Sequence, residues 1–252
     1  MDPIAADIPL TPSARAVPES IGILGAGRMG TALAAALRAA GLILHGPAGR
    51  GETLPGCDAI VLCVPDGEIE AAAAAFAGTA PLTGHTSGAT PLTALAAAGG
   101  DAFGLHPLMT VTRDGATLEG AGCAIAGTSP AALELARRLA HAVGMTPFEI
   151  ADEDRAAYHA AASIASNFLV TLEAAAERVA ATAGVGRAAL APLVRATVEN
   201  WAALGPERAL TGPVARGDDT TVARQREAIP EDLHPLFDAL VAATRDLAGV
   251  HA

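Results

Sequence analysis

The stretch "SIGILGAGRMGTALAAALRAAG", residues 20–41, decides the fold. It opens with a short apolar run, continues with three glycines spaced G-x-G-x-x-G, and ends in a run rich in alanine and leucine. A short apolar run is typical of a buried strand, and the alanine-rich run favours a helix. We therefore predict a strand, a glycine turn and a helix, which together begin an α/β domain.

This context gives the glycine pattern a chemical meaning. Gly25 permits the tight turn, Gly27 lets the backbone approach a pyrophosphate, and Gly30 lets the helix and strand pack closely. Phosphate groups bind at helix N-termini, where amide groups are free. We predict a dinucleotide site, and the alternative is a glycine turn without a ligand. The predicted cofactor-binding residues are Gly25, Ala26, Gly27, Arg28, Met29, Gly30, Arg50, Val64 and Pro65.

The end of the second predicted strand bears on the choice between NAD and NADP. An NAD site usually offers Asp or Glu there to the ribose 2′-hydroxyl. No acidic residue lies between Thr31 and Gly51, whereas Arg50 is placed to attract a 2′-phosphate, and Glu52 lies just beyond. Arg50 as an ordinary solvated loop residue is the alternative. We expect NADP as the cofactor, with NAD as the other possibility.

Strand-like and helical segments alternate as far as residue 150, and only helical segments follow. This alternation predicts a Rossmann-like domain at residues 20–150, with a mostly parallel sheet and helices on both faces. Residues 151–252 are predicted to form an all-helical C-terminal domain. Residues 1–19 contain four prolines and no periodicity, which predicts a flexible tail.

Composition excludes several classes of partner. The net charge of −11 argues against nucleic acid and anionic membranes, since both attract clustered positive charge. No apolar stretch is long enough to span a membrane without interruption. The three cysteines match no metal-ligand spacing. We expect a cytoplasmic protein with reduced thiols, no metal site and a small-molecule substrate.

Histidine is the natural proton donor here, because all 16 basic residues are arginine and the chain contains no lysine. Hydride transfer to C=O or C=N needs a group that hydrogen-bonds or protonates the heteroatom. His106 stands at the end of a predicted strand, and ligands of open parallel sheets bind outside such ends. We expect His106 to supply the proton, with His159 and Tyr158 as further candidates. The alternative for each is a packed side chain at the domain interface.

A polar stripe runs along the predicted helix "DRAAYHAAASIASN", residues 154–167. Steps of four residues align His159, Ser163 and Asn167 on one side. We expect this stripe to face the cleft between the domains, where His159 and Asn167 help to orient a substrate. Packing against neighbouring helices is the alternative.

Two loops carry further candidate substrate contacts. Ser87 lies in the glycine-flanked segment "GHTSGAT", residues 84–90. The segment "ALTGPVARGDDTTV", residues 209–222, offers groups able to hold a carboxylate at a helix start. An interhelical turn capped by Asp218 or Asp219 is the alternative. The candidates in this second segment are Arg216, Thr220 and Thr221.

Together these segments resemble the Rossmann-like proteins that carry the domain of unknown function 2520, over about residues 20–247. The segments that carry the resemblance are "GILGAGRMG", "VPDGEI", "HTSGA", "GLHPLMT", "YHAAASIASNFLV" and "LTGPVARGDDTTV". The resemblance implies a Rossmann fold, a nicotinamide cofactor and oxidoreductase activity, and it names no substrate.

More distantly, the organisation is similar to 6-phosphogluconate dehydrogenase-type enzymes, pyrroline-5-carboxylate reductases and prephenate dehydrogenases. Similarity to the prephenate dehydrogenases implies that Ser87 and His106 lie at the reacting group. Similarity to the pyrroline-5-carboxylate reductases implies that residues 212–221 bind a substrate carboxylate. Ketopantoate reductases and hydroxyacid dehydrogenases place a catalytic lysine four residues before an asparagine. Ser163 holds that position here, so the lysine mechanism does not transfer.

Two functions follow from these observations. The first is NADPH-dependent reduction of a small keto- or imino-carboxylate, such as a ketopantoate-like 2-oxo acid or a cyclic imine. The alternative is a non-catalytic sensor that binds NADP(H). In either case the helical domain is expected to form a homodimer.

Overall fold

The computed structural model describes residues 20–112 and 115–249, so the predicted tail at residues 1–19 lies outside the described residues. The chain divides into two compact units, one ending at Ile164 and the other beginning at Ala165. The sequence predicted a boundary at residue 151. The first unit extends further, and Asp152 links the segment after Ile150 to this unit by accepting a hydrogen bond from the amide of Leu92.

The first unit is built on a seven-stranded sheet. Its strands are β1 (Ser20–Leu24), β2 (Ile43–Ala48), β3 (Ala59–Leu62), β4 (Leu82–His85), β5 (Asp101–Leu108), β6 (Gly122–Gly127) and β7 (Thr146–Glu149). They follow the order β2-β1-β3-β4-β5-β6-β7, in which β1 to β5 are parallel to one another. β6 pairs antiparallel with β5 and parallel with β7. The strand order reverses between β1 and β3, which is where open sheets of this kind bind their ligands.

Helices cover both faces of the sheet, as predicted. They are α1 (Arg28–Ala39), α2 (Ile69–Ala75) and α3 (Pro130–Ala142), with a 3₁₀ helix at Leu92–Ala98. Side chains alternate along β3, so Val61 packs with α1 and α3 on one face, and Ile60 and Leu62 pack with α2 on the other. The predicted fold class is confirmed.

The sequence did not predict β4. Its residues, "LTGH", lack the apolar pattern of a strand, and His85 was assigned to a loop. All four residues are buried because β4 pairs with β3 on one side and β5 on the other. The pairing on both sides, which no local pattern reports, makes this segment a strand and places His85 in the core.

The predicted helix at residues 154–167 is interrupted. A 3₁₀ turn at Asp152–Asp154 leads into α4 (Arg155–Ser163), and a π-helical turn follows at Ile164–Phe168. A π turn closes hydrogen bonds from residue i to i+5 and so changes the spacing of side chains around the helix. The four-residue spacing that aligned Asn167 with His159 is therefore wrong beyond Ser163.

The second unit is helical throughout. Its helices are α5 (Leu169–Thr182), α6 (Arg187–Leu204), α7 (Pro206–Ala209), α8 (Asp219–Ala228) and α9 (His234–Ala248). Val222 is the only buried residue among residues 165–249. Large apolar side chains are exposed, among them Leu193 at 65% and Trp201 at 57%. Within the described parts of the chain, no helix is long and apolar enough to cross a membrane.

Candidate functional site

The glycine turn joins β1 to α1 at the point where the strand order reverses. Gly25 has a φ of +109°, a conformation that glycine adopts readily, and a Cβ there would lie 2.3 Å from the carbonyl oxygen of Cys63. A Cβ on Gly30 would lie 1.8 Å from the carbonyl oxygen of Gly25. A Cβ on Gly27 would meet no atom within 4 Å. The turn is therefore closely packed at Gly25 and Gly30 and open at Gly27, as a phosphate-binding turn requires.

A cavity of about 610 Å³ lies beside this turn. Its lining includes the predicted residues Gly25, Gly27, Arg50, Val64 and Pro65. The volume is typical of a small-molecule site. Four predicted cofactor residues do not line the cavity. Ala26 and Arg28 are exposed on the turn, Met29 packs against the core, and Gly30 is buried in α1.

Carboxylates accompany Arg50 in this cavity. Arg50 pairs with Glu68 at 2.6 Å, and Glu52 accepts a hydrogen bond of 2.6 Å from the backbone amide of Gly49. Glu52 follows Gly51 in the chain, and the fold brings Glu68, which is distant in sequence, to the same cavity. The preference for NAD or NADP thus depends on the balance between one guanidinium and two carboxylates.

A larger cavity, of about 1400 Å³, shares Gly27 with the first and extends along α1 to the end of α3. Alanine side chains of α1 form much of its wall. The smaller cavity lies at the carboxyl ends of β1 and β3, where ligands of open parallel sheets bind, and it is the candidate cofactor cavity.

Two histidines and a tyrosine meet at the carboxyl end of β5. His106 Nδ1 lies 2.7 Å from the hydroxyl of Tyr158, and the rings of His106 and His159 are 6.4 Å apart. A Cβ on Gly88 would lie 2.9 Å from His106 Nε2 and 3.0 Å from His159 Cδ2. The absence of a side chain at Gly88 lets the loop after β4 approach both imidazoles. The three predicted catalytic residues are thus brought together.

Burial determines the protonation states of His106 and Tyr158. Burial, aided by the charges of His159 and Arg155, lowers the pKa of His106 to about 4. Burial raises the pKa of Tyr158 to about 12. Both side chains are therefore uncharged near neutral pH. The fold thus provides at His106 a neutral imidazole that acts as a hydrogen-bonding group.

Sequence reasoning missed two charged residues near the imidazoles. The carboxylate of Asp66 acts to raise the pKa of both His85 and His106, and the guanidinium of Arg155 acts to lower them. Asp66 comes one residue after Pro65, which lines the cofactor cavity. The sequence signal that could have identified Asp66 was its position soon after a buried strand. No sequence signal pointed to Arg155, because a lone arginine at a helix start is normally exposed.

Ser87 organises its own loop. Its hydroxyl accepts hydrogen bonds from the amides of Ala89 and Thr90 and lies 2.9 Å from the Thr90 hydroxyl. The residue is buried, and its amide donates to His85 Nδ1 at 3.2 Å. These bonds hold the segment that carries Gly88. Contact of Ser87 with a substrate stays a prediction.

The remaining predicted substrate residues are divided between the units. Ser163 ends α4 in the first unit, and Asn167, Arg216, Thr220 and Thr221 belong to the second. Asp218 caps α8 by accepting from the amide of Thr221 at 3.1 Å, so the capped interhelical turn is present. The substrate roles of these residues stay predictions. Among the residues that the structure covers, no group of three or more His, Cys, Asp or Glu is arranged to hold a metal ion.

Comparison with known proteins bears on the family and the fold. Residues 121–244 match the family described as "Domain of unknown function (DUF2520)". No curated protein sequence matches the chain.

Solved structures share its fold over most of its length. A candidate NADP oxidoreductase from Bacteroides fragilis is 18% identical, with 90% of this chain and 98% of that chain covered and a TM-score of 0.79. A reductive aminase from Aspergillus terreus, in complex with NADPH4, cyclohexanone and allyl amine, is 18% identical, with 93% and 96% covered and a TM-score of 0.63. A 1-pyrroline-5-carboxylate reductase from Streptococcus pyogenes is 16% identical, with 91% and 97% covered and a TM-score of 0.59.

Identities this low establish a common fold and leave activity open. The similarity in organisation to pyrroline-5-carboxylate reductases is confirmed at the level of the fold. The sheet, the glycine turn and the family match agree with one another. The chain has a Rossmann-type fold, and its residues 121–244 match the DUF2520 family.

Proposed function

We propose that this protein is an NADPH-dependent reductase of a small keto- or imino-carboxylate. The observation that carries the proposal is the 2.7 Å contact between His106 and Tyr158 on the same edge of the sheet as the glycine turn. The names of three proteins with this fold, an NADP oxidoreductase candidate, a reductive aminase and a pyrroline-5-carboxylate reductase, support it.

The residues of the glycine turn fit a dinucleotide. The N-terminus of α1 is capped by Gly27, which has no side chain to occupy the free amides, and the space beside it is open. Amides in this position favour a pyrophosphate. Gly25, Val64 and Pro65 form the adjoining wall of the cavity. A bound nicotinamide nucleotide supplies the hydride.

The chain's own contribution to the reaction is the transfer of a proton to the substrate heteroatom. Tyr158 keeps its proton near neutral pH, and in the proposed tautomer its hydroxyl donates a hydrogen bond to Nδ1 of the neutral His106. This arrangement leaves the proton of the imidazole on Nε2, on the side of Gly88 and His159. From there Nε2 donates its proton to the oxygen or nitrogen of the C=O or C=N group while Nδ1 takes the proton of Tyr158. A proton from solvent then restores the Tyr158 hydroxyl before the next turnover.

A panel assay tests this function. The purified protein is expected to oxidise NADPH in the presence of at least one small 2-oxo acid or cyclic imino acid. A thermal-shift screen with NADH and NADPH runs alongside, since a ligand at 100 times its Kd stabilises by about 2.7 kcal/mol. Nucleotide stabilisation without turnover on any substrate, accompanied by a change of assembly, would favour the non-catalytic sensor. No stabilisation by either nucleotide would contradict both functions.

Arg50 is expected to set the preference for NADPH. Its exposed pair with Glu68 is worth only about 0–1 kcal/mol, so a 2′-phosphate is able to take the place of the carboxylate. A charge-assisted hydrogen bond is worth about 1.5–3 kcal/mol. Arg50→Ala is therefore expected to weaken NADPH binding about tenfold and to leave NADH binding unchanged, as measured by fluorescence titration.

The reverse effect is expected from Glu68→Gln, which frees Arg50 and removes a negative charge from the cavity. Glu70→Gln is the matched control, because Glu70 is an exposed neighbour that does not line the cavity. Equal weakening of NADH and NADPH in the Arg50 variant would assign that residue to general nucleotide binding.

We also propose that the helical unit forms a homodimer. On α6, Leu193, Trp201 and Leu204 are exposed, and their spacing places them on one side of the helix at 100° per residue. Water exposure of such a stripe is unfavourable. A twofold axis pairs a stripe with its own copy, which supplies an apolar partner of the same length.

Leu193→Glu combined with Trp201→Glu is expected to convert the dimer to a monomer, because the charges would be buried without partners. Light scattering after size exclusion measures the mass. Arg195→Glu is the control, since Arg195 lies on the opposite side of α6. A monomeric wild-type protein at micromolar concentration would overturn the proposal.

A further inference from the structure

Arg155 is a buried guanidinium at the start of α4, with 2% of its side chain exposed. Its Nε donates to Asp152 at 2.6 Å, and the other oxygen of Asp152 accepts from the amide of Leu92 at 2.9 Å. One carboxylate thus ties the start of α4 to the segment that follows β4. The Nη2 atom of Arg155 is buried and has no hydrogen-bond partner within the described residues. Burying such a group is costly, so its place calls for an explanation.

The position of this guanidinium is set by Gly104 of β5. A Cβ on Gly104 would lie 2.7 Å from Arg155 Nη2, so the missing side chain makes room for the arginine. Residues two apart on a strand point to the same face, and His106 is two residues after Gly104. Arg155 therefore lies on the face of β5 from which His106 projects.

One turn further along α4, the side chain of Tyr158 also contacts a residue of β5. It follows Arg155 by three residues, so the two side chains are neighbours on the same side of the helix. Arg155 lies over Gly104, and the Tyr158 hydroxyl lies 2.7 Å from His106. Helix and strand are thus matched at two points, of which the first is Arg155 over Gly104 and the second is the proposed catalytic pair.

We propose that Arg155 is a positioning residue that, seated over Gly104 and held by Asp152, aligns α4 so that Tyr158 meets His106. The proposal rests on the proposed function only for its effect on turnover, because the contact itself is measurable without a substrate. The groups that act on the charge of His106 are Tyr158, His159 and Arg155 from α4, His85 from β4, and Asp66 from the turn after β3.

Two variants separate position from charge. Gly104→Ala keeps the guanidinium and displaces it, and Arg155→Met removes it with little change of length. Arg155→Lys keeps a charge and a donor and is expected to recover part of the effect of Arg155→Met. Arg137→Met is the control, because Arg137 of α3 forms its ion pairs with Glu134 of α3 and Glu149 of β7.

The chain contains a single tyrosine, so a tyrosine-labelled sample reports on Tyr158 without ambiguity. We expect the nuclear Overhauser effect between the rings of Tyr158 and His106 in the wild-type protein and in Arg137→Met, and its loss in Gly104→Ala and Arg155→Met. The pKa of His106 is expected to rise in Arg155→Met, because a neighbouring positive charge is removed. In the presence of a substrate, kcat is expected to fall about 10- to 100-fold in both variants while the Kd for NADPH stays within about twofold.

Retention of the Tyr158–His106 contact in both variants would overturn the proposal, whether or not the protein is active. If Arg155→Met does not fold, Gly104→Ala decides the matter alone. Loss of the contact in a protein without reductase activity would leave the positioning role intact and remove the proposed function.

Discussion

Gly30→Ala is expected to lower nucleotide affinity at least about 100-fold and to destabilise the fold. The new Cβ would stand 1.8 Å from the carbonyl oxygen of Gly25 and 3.1 Å from Cβ of Cys63. Backbone atoms cannot swing aside as a long side chain does, so α1 has to move away from β1. That movement displaces the amides that face the pyrophosphate.

The size of the effect on stability follows from overpacking, which costs about 1–3 kcal/mol. For a chain of this size each kcal/mol lowers the melting temperature by about 2–4 °C. Differential scanning fluorimetry measures the melting temperature, and titration with NADPH measures the affinity. Unchanged affinity in a folded Gly30→Ala protein would show that the turn does not hold the nucleotide.

Substitutions at two other glycines separate the effect on nucleotide binding from the effect on stability. Gly27→Ala places its Cβ in open space, so we expect normal stability together with weakened nucleotide binding, because the methyl group would occupy the approach of the pyrophosphate. Gly56→Ala also meets no atom within 4 Å and lies outside the lining of the cavity, so it is expected to change neither property.

His106→Ala is expected to reduce kcat about 10²–10⁴-fold, the usual contribution of a positioned acid or base. The Kd for NADPH is expected to remain unchanged, because His106 does not line the cofactor cavity. Steady-state kinetics with the best substrate of the panel and a binding titration measure the two quantities. His141→Ala, an exposed histidine on α3, controls for the loss of an imidazole elsewhere. Full turnover in His106→Ala would remove this residue from the mechanism.

His106→Ala is also expected to change how the free energy of unfolding depends on pH. His85 and His106 have a pKa of about 4 in the folded chain, below the ordinary value of about 6.5. Between these values the unfolded chain binds more protons, so the free energy of unfolding falls as the pH drops from about 6.5 to about 4. Above this range the contribution is fully present. Denaturant unfolding at pH 7 and pH 5 is expected to show a smaller difference for His106→Ala than for the wild-type protein.

The glycine turn and most of the sheet could be predicted from the sequence because their causes are local. Gly25 and Gly30 are needed for reasons that act within one strand and one helix, and the apolar runs around them are short and clear. His106 was identified for a similar reason, since its place at a strand end depends only on the sheet being parallel.

The rest depended on contacts between distant segments. β4 is a strand because two neighbours pair with it, and its own residues favour a loop. Arg155 is buried because Gly104, 51 positions earlier, leaves space for it. The π turn at Ile164–Phe168 has the sequence "IASNF", in which no residue marks a departure from the regular helical spacing. Glu68 reached the cofactor cavity through the turn after β3, which the search between Thr31 and Gly51 did not cover.

The strand order also fixes the distance between the glycine turn and His106. β1, which ends at the glycine turn, and β5, which carries His106, are separated by three steps across the sheet, through β3 and β4. Each step is set by backbone hydrogen bonds at about 4.8 Å, so the two ends stand roughly 14 Å apart. Side-chain substitutions leave this length unchanged. Only a molecule long enough to cross two intervening strands would touch the glycine turn and the imidazoles at once, so this distance sets a minimum length for a ligand of both.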